Sequence, residues 1–242
     1  DINLEKRVSI TPETAKNIIA LGLGVNLEKN YAVHLGITDK QYEEIGVKFF
    51  GSSKEVINNS NLILKVNCPT EEETDVLKEN TIFIGIFNPS KNQDKLKKIL
   101  KKKINVFSLE LLPRISRAQS MDVLSSQSNL AGYRAVIESI YEFEKAVPMM
   151  MTAAGTVPAA KVLVIGAGVA GLQAIATAKR LGAIVSATDV RAASKEQVES
   201  LGGKFLTVEQ EENLETTSGY AKEASEEFKK KQADLLKEAM IK

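Results

Sequence analysis

The chain reads as an α/β protein built from two doubly wound parallel-sheet domains, the second a Rossmann dinucleotide-binding domain. Three observations lead there. Short apolar runs alternate with amphipathic stretches from Val8 onward, which is the pattern of a parallel sheet covered by helices. The stretch 161–191, KVLVIGAGVAGLQAIATAKRLGAIVSATDVR, holds an apolar run, a glycine turn, a helical pattern, a second apolar run and a terminal acid in register. No segment reaches the roughly 20 uninterrupted apolar residues that a spanning helix needs. Residues 146–178 carry one charge, Lys161, but Pro148, Pro158 and four glycines interrupt them, and a buried strand and helix account for the run.

In the first half, Val8-Ser9-Ile10 precedes Thr11-Pro12, an N-cap with proline at the first helical position, and that helix should end at Gly22. Val25-Asn26-Leu27 follows, then a helix capped by Thr38, the run Val47–Phe50 and a helix from about Ser53. Strands are expected at Leu62–Val66, Ile82–Ile86 and Val106–Leu109, with helices near Glu71–Leu77 and Asn92–Lys103 between them. The last helix is rich in lysine, yet Leu96, Ile99 and Leu100 give it an ordinary buried stripe, so its lysines read as a solvated face. Residues 111–128 are polar and irregular, and Leu130, Tyr133, Ile137, Ile140 and Tyr141 then recur at helical spacing towards Pro148. The domains are therefore expected at 1–126 and 127–242. The second adds a third strand at Lys204–Val208 and a charged helix from about Tyr220.

The 242 residues suffice for one large or two ordinary domains, and 43% hydrophobic residues allow a substantial core. A net charge of +1 gives no reason to expect nucleic acid as a partner. Cys68 is the single cysteine, so there is no disulfide framework, and a reducing cytosolic compartment fits. No histidine or second cysteine surrounds it, and no metal site is expected. The chain starts at Asp1 rather than Met, and three strands are half of the about six in a doubly wound dinucleotide fold. A chain truncated at both ends is the expectation.

Each part of the glycine turn has a physical role. Gly166 permits the tight turn, Gly168 lets a pyrophosphate approach the backbone, and Gly171 lets the helix lie close to the strand. The helix N-terminus, beginning at Val169, offers N–H groups to phosphate. Asp189, 18 residues past Gly171, can accept hydrogen bonds from ribose hydroxyls and would repel a 2′-phosphate. NAD(H) is thus favoured over NADP(H), with the reservation that Arg191 could accommodate that phosphate. S-adenosylmethionine or flavin is the secondary ligand reading, and a turn that binds nothing is the bland one.

Several segments together extend this reading. "RVSITPET", "LKVNCPTEEE", "LPRISRAQSMDVLSSQSNLAGYRAV", the stretch from "PMMMTAAGTVP" through the glycine turn, "TDVRAASKEQVESLGGKF" and "GYAKEASEEFKKKQ" resemble the NAD(H)-binding component, the alpha subunit, of proton-translocating NAD(P) transhydrogenases. That family is related in fold to alanine dehydrogenase. The resemblance is very close over 105–232 and looser before. It implies that the loop Arg114–Ser125 reaches the nicotinamide end of the cofactor, with Arg114, Gln119, Asp122 and Ser125 at contact positions and Ser120 and Met121 beside them. It implies that Val190 and Arg191 lie near the adenine side, and that Gly219 and Tyr220 belong to a loop closing over the nucleotide. It further implies NADP(H) on a separate partner domain, a membrane-spanning partner component, a homodimer, and a peripheral place on the cytoplasmic side of the inner membrane. Taken without the resemblance, Asp122 or Ser125 would read as a helix cap, and Tyr220 as an aromatic at a helix start.

The two relatives need different chemistry. An amino-acid dehydrogenase moves protons as well as a hydride and needs a general acid/base. The family's histidine should follow the strand at 82–86, where this chain reads IFIGIFNPSKNQ. The one histidine, His34, lies in a turn and reads as a surface or packing residue. Hydride transfer between two nicotinamides protonates nothing, so the expected function is transhydrogenation. The alternatives are an alanine dehydrogenase-like oxidoreductase, in which Lys65 and Arg7 match the positions that hold the substrate carboxylate, and a non-catalytic NAD-binding module.

Overall fold

The computed structural model describes residues 5–113, 115–208 and 225–241. The chain divides into two compact units, Asp1–Asp122 and Val123–Lys242.

In the first unit most helix starts are written locally. Thr11 is extended and its side chain accepts from the Thr14 N–H, with Pro12 opening α1 (Pro12–Ala20). β1 (Asn26–Glu28) follows, and α2 (Asp39–Glu43) begins after Thr38, whose N–H donates to Gln41 Oε1 at 2.8 Å. β2 (Lys48–Phe50), α3 (Ser53–Asn58) and β3 (Leu62–Asn67) come next. Thr70 and Glu73 cap α4 (Glu71–Val76) reciprocally. β4 (Ile82–Ile86), α5 (Gln93–Lys101) and β5 (Asn105–Ser108) complete the series.

All pairing in this unit is parallel. β1 pairs with β2, and β3-β4-β5 form a second sheet with Ile84 opposite Phe107. Where one continuous sheet would be expected, an opening of about 830 Å³ is lined by both β1 and β3. Val8–Ile10 is not a strand. The Ser9 and Ile10 N–H groups donate to the Tyr31 hydroxyl at 2.9 and 3.2 Å, and Ser9 Oγ donates to the Leu64 carbonyl at 2.9 Å. Tyr42, wholly buried, packs edge-on against Tyr31 and Phe49 and donates to the Ile10 carbonyl at 2.8 Å. A second core gathers Phe83, Phe87, Ile99 and Ile104 beneath β3-β4-β5. The α5 lysines form a solvated face, with Lys97, Lys98 and Lys103 paired to Asp94, Glu71 and Glu79.

The second unit opens with α6 (Val123–Phe143). An antiparallel hairpin follows, β6 (Met150–Thr152) and β7 (Gly155–Val157), which the apolar composition of 146–178 hides. Its residues are exposed, so that part of the run is not the buried strand that its hydropathy suggests. Then come β8 (Lys161–Ile165), α7 (Val169–Arg180), β9 (Ile184–Thr188), α8 (Ser194–Ser200), β10 (Lys204–Phe205) and α9 (Glu226–Ile241). β10 is shorter than the expected Lys204–Val208. The strands lie parallel in the order β10-β9-β8, the 3-2-1 arrangement of one half of a doubly wound dinucleotide fold. Ile175, Ala178, Val185, Ala187 and Val198 fill the core. α6 packs directly on α7 at Gly132, where an added Cβ would meet the Ala170 carbonyl oxygen at 2.0 Å.

Candidate functional site

The glycine turn joins β8 to α7. Gly166 has φ +92, a left-handed conformation that glycine adopts without steric cost, and its N–H donates to the Thr188 carbonyl on β9 at 2.8 Å. Gly171 is needed for closeness, since an added Cβ would lie 1.8 Å from the Gly166 carbonyl oxygen. Gly168 is different. It is extended, caps α7 without a side chain, and a Cβ there would meet only Arg191 Nη2, at 4.0 Å. The outer side of Gly168 is therefore open to a ligand. Directly behind it stands the N-terminus of a 12-residue helix, beginning at the half-exposed Val169. That is the cradle a pyrophosphate requires.

Asp189 follows β9 and faces the same turn. Its side chain is 7% exposed. Oδ2 accepts from the Ala167 N–H at 2.7 Å and from Arg191 Nη2 at 3.0 Å. Oδ1 accepts from the Arg191 N–H and from Nε, both at 2.9 Å. Burial by itself pushes the carboxyl's pKa up, but these donors outweigh it and hold the group below its ordinary value. Asp189 is thus an anchored anion at the lip of the turn. Val190 and Arg191, both half-buried, follow it.

The residues expected at the nicotinamide fall in two places. Gln119, Ser120 and Met121 are exposed on a 3-10 helix, Ser116–Met121, at the end of the first unit, with half-buried Asp122 directly after it. Ser125 is half-buried in the first turn of α6, in the second unit. Arg114, Gly219 and Tyr220 lie outside the described residues.

In the first unit, Lys65 is bound to both oxygens of Glu73, and Arg7 donates through Nε and Nη2 to Glu5. The Arg7 hydrogen bond, chiefly, lowers the Glu5 pKa to about 2. His34 Nε2 lies 2.9 Å from the Lys6 carbonyl oxygen. Cys68 is half-buried, and burial pushes its thiol up. Among the described residues no group of His, Cys, Asp or Glu could hold a metal ion. None of their helices is long and apolar enough to cross a membrane. Two features escaped the sequence reading. One is the occupation of Asp189 by Arg191. The other is the contact of Gly132 with the turn's helix, signalled only by a glycine inside a helical pattern.

A parallel strand–turn–helix–strand unit with an open glycine turn and an acid beside it defines a Rossmann-type α/β protein. The alanine dehydrogenase/PNT N-terminal domain matches residues 2–131, and the C-terminal domain of the same family matches residues 135–241. The chain belongs to the alanine dehydrogenase/PNT family. It is 52% identical over 245 residues to an NAD(P) transhydrogenase subunit alpha of Rhodospirillum rubrum, covering 98% of this chain and 64% of that one. The crystal structure of a transhydrogenase from Sinorhizobium meliloti superposes with a TM-score of 0.80 at 50% identity, over 84% of this chain and 60% of that one. An L-alanine dehydrogenase shares the fold, with a TM-score of 0.73 at 21% identity over 84% of this chain and 57% of that one. The chain spans less than two thirds of the length of each of these relatives.

Proposed function

We propose that this chain is the NAD(H)-binding part of an NAD(P) transhydrogenase alpha subunit. The observation that carries the reading is the open face of Gly168 between the α7 N-terminus and the anchored carboxylate of Asp189. Gly166, Gly168 and Gly171 with Val169 would hold the pyrophosphate. Asp189 would take the adenosine ribose, with Val190 and Arg191 beside it. Arg114, Gln119, Asp122 and Ser125, with Ser120 and Met121, would orient the nicotinamide, and Gly219 and Tyr220 would cover it. Bound NADH supplies a hydride to NADP+ held by a separate partner domain, and no protein acid or base is required for that step. The chain's residues would act by positioning and by excluding water. Coupling to proton movement would rest with a membrane-spanning partner component. In this reading the chain works as a homodimer, peripheral on the cytoplasmic side of the inner membrane.

Two observations speak against the alanine dehydrogenase reading. Lys65 is already neutralised by Glu73, and Arg7 by Glu5. Residues 82–93 hold no histidine. The test is calorimetric titration with NADH and, separately, with NADPH. Tight NADH binding, weak NADPH binding and loss of NADH binding in Asp189→Ala support the reading. Adding an NADP(H)-binding partner domain should then give hydride transfer. A folded chain that binds no NADH, or that oxidises L-alanine, overturns it.

A further inference from the structure

The acceptor capacity of Asp189 is fully used. A carboxylate offers about four lone-pair positions, and four donors fill them, two on each oxygen. Two of the donors are backbone N–H groups, of Ala167 and Arg191, and move only if the turn moves. The other two belong to one guanidinium, which places Nε on Oδ1 and Nη2 on Oδ2. That same Nη2 is the nearest atom to the open side of Gly168. The displaceable donors are therefore two, one per oxygen, on the side from which a ligand would arrive. A ribose with free 2′ and 3′ hydroxyls presents the same complement: two neighbouring donors for the two oxygens of one carboxylate.

We propose that Arg191 is an internal stand-in for the ribose diol, holding Asp189 in the nucleotide-free chain and surrendering its two positions when a nucleotide with both hydroxyls free binds. The inference rests on the NAD(H) reading above and adds that Arg191 competes with the ligand. Nucleotide binding is an exchange at one carboxylate. Arg191 keeps a buried anion satisfied while the site is empty, and its release sets part of the cost of binding. A nucleotide lacking the 2′-hydroxyl replaces only one of the two donors and leaves one acceptor position unfilled.

The test is the sign of the affinity change in Arg191→Ala. A partly exposed ion pair of this kind corresponds to about a two- to fivefold factor. Arg191→Ala should therefore bind NADH about two- to fivefold more tightly than the unaltered chain, with Arg191→Lys between the two. The gain should shrink for the 2′-deoxyadenosine analogue of NADH. Thermal melts without nucleotide should show Arg191→Ala less stable, and NADH should raise its melting temperature by more than it raises that of the unaltered chain. Weaker or unchanged NADH binding in both Arg191 variants, with Asp189→Ala still abolishing it, overturns the exchange and leaves the cofactor reading intact. NADH binding indifferent to Asp189→Ala overturns both.

Discussion

Replacing Gly132 by alanine pits two effects of opposite sign against each other. In an uncrowded helix interior, glycine to alanine stabilises by about 1 kcal/mol, because alanine loses less backbone entropy on folding. Gly132 is not uncrowded. A Cβ there would meet the Ala170 carbonyl oxygen at 2.0 Å and its carbonyl carbon at 2.8 Å. A carbon–oxygen contact normally lies at about 3.3 Å, so α6 and α7 would have to separate by roughly 1 Å. The obstructing atoms are helix backbone and cannot rotate aside. Overpacking of a well-filled core costs about 1–3 kcal/mol, and a clash with backbone belongs at the upper end. The net expectation is a loss of about 1–2 kcal/mol. Urea denaturation reads it as a lowered midpoint with unchanged slope. Ala170 lies in the first turn of α7, so NADH affinity should fall in the same variant. An unchanged or raised midpoint would mean that the α6–α7 contact does not require glycine and would refute the reasoning.

Gly171→Ala should be more severe for the site. Its Cβ would lie 1.8 Å from the Gly166 carbonyl oxygen, so nucleotide binding should be lost even where circular dichroism shows the helices retained, and NADH affinity within twofold of the original would contradict this. Tyr42→Phe should cost about 1–2 kcal/mol in urea denaturation, because the Ile10 carbonyl, which accepts from this fully buried hydroxyl at 2.8 Å, would lose its partner; an unchanged midpoint would show that another donor serves it. Glu5 predicts an acid effect. Its pKa in the folded chain is about 2 against an ordinary 4.5, so the charged form is favoured by folding, and its contribution is complete above pH 4.5 and fades as the pH falls towards 2. Arg7→Met should return the Glu5 carboxyl midpoint, followed by NMR, towards 4.5, and a midpoint already near 4.5 in the unaltered chain would refute the pairing.

Much of the fold is legible in the sequence because much of it is local. Thr11-Pro12 and Thr70…Glu73 announce helix starts through hydrogen bonds that close within three residues. The glycine turn is legible for a similar reason: the left-handed φ at Gly166 and the helix start at Val169 are properties of neighbouring residues, and strand and helix periodicities flank them. Tertiary structure decides what depends on partners far along the chain. Val8–Ile10 has the composition of a strand, but its N–H groups are taken by Tyr31, more than 20 residues away. The apolar run 146–178 divides into an exposed hairpin and a buried βα unit, a distinction that hydropathy does not carry. Gly132 reads as a weak point in a helix until the Ala170 carbonyl is seen against it.

The site shows the same division. The sequence by itself determines that an acid ends β9, near a glycine turn suited to phosphate. Only the folded chain brings the Ala167 N–H to that acid, 22 residues apart in sequence, and wraps the Arg191 side chain back onto it. Periodicity and turn chemistry are set by the backbone and its nearest neighbours. Which donors fill a carboxylate is set by what the fold leaves within 3 Å of it.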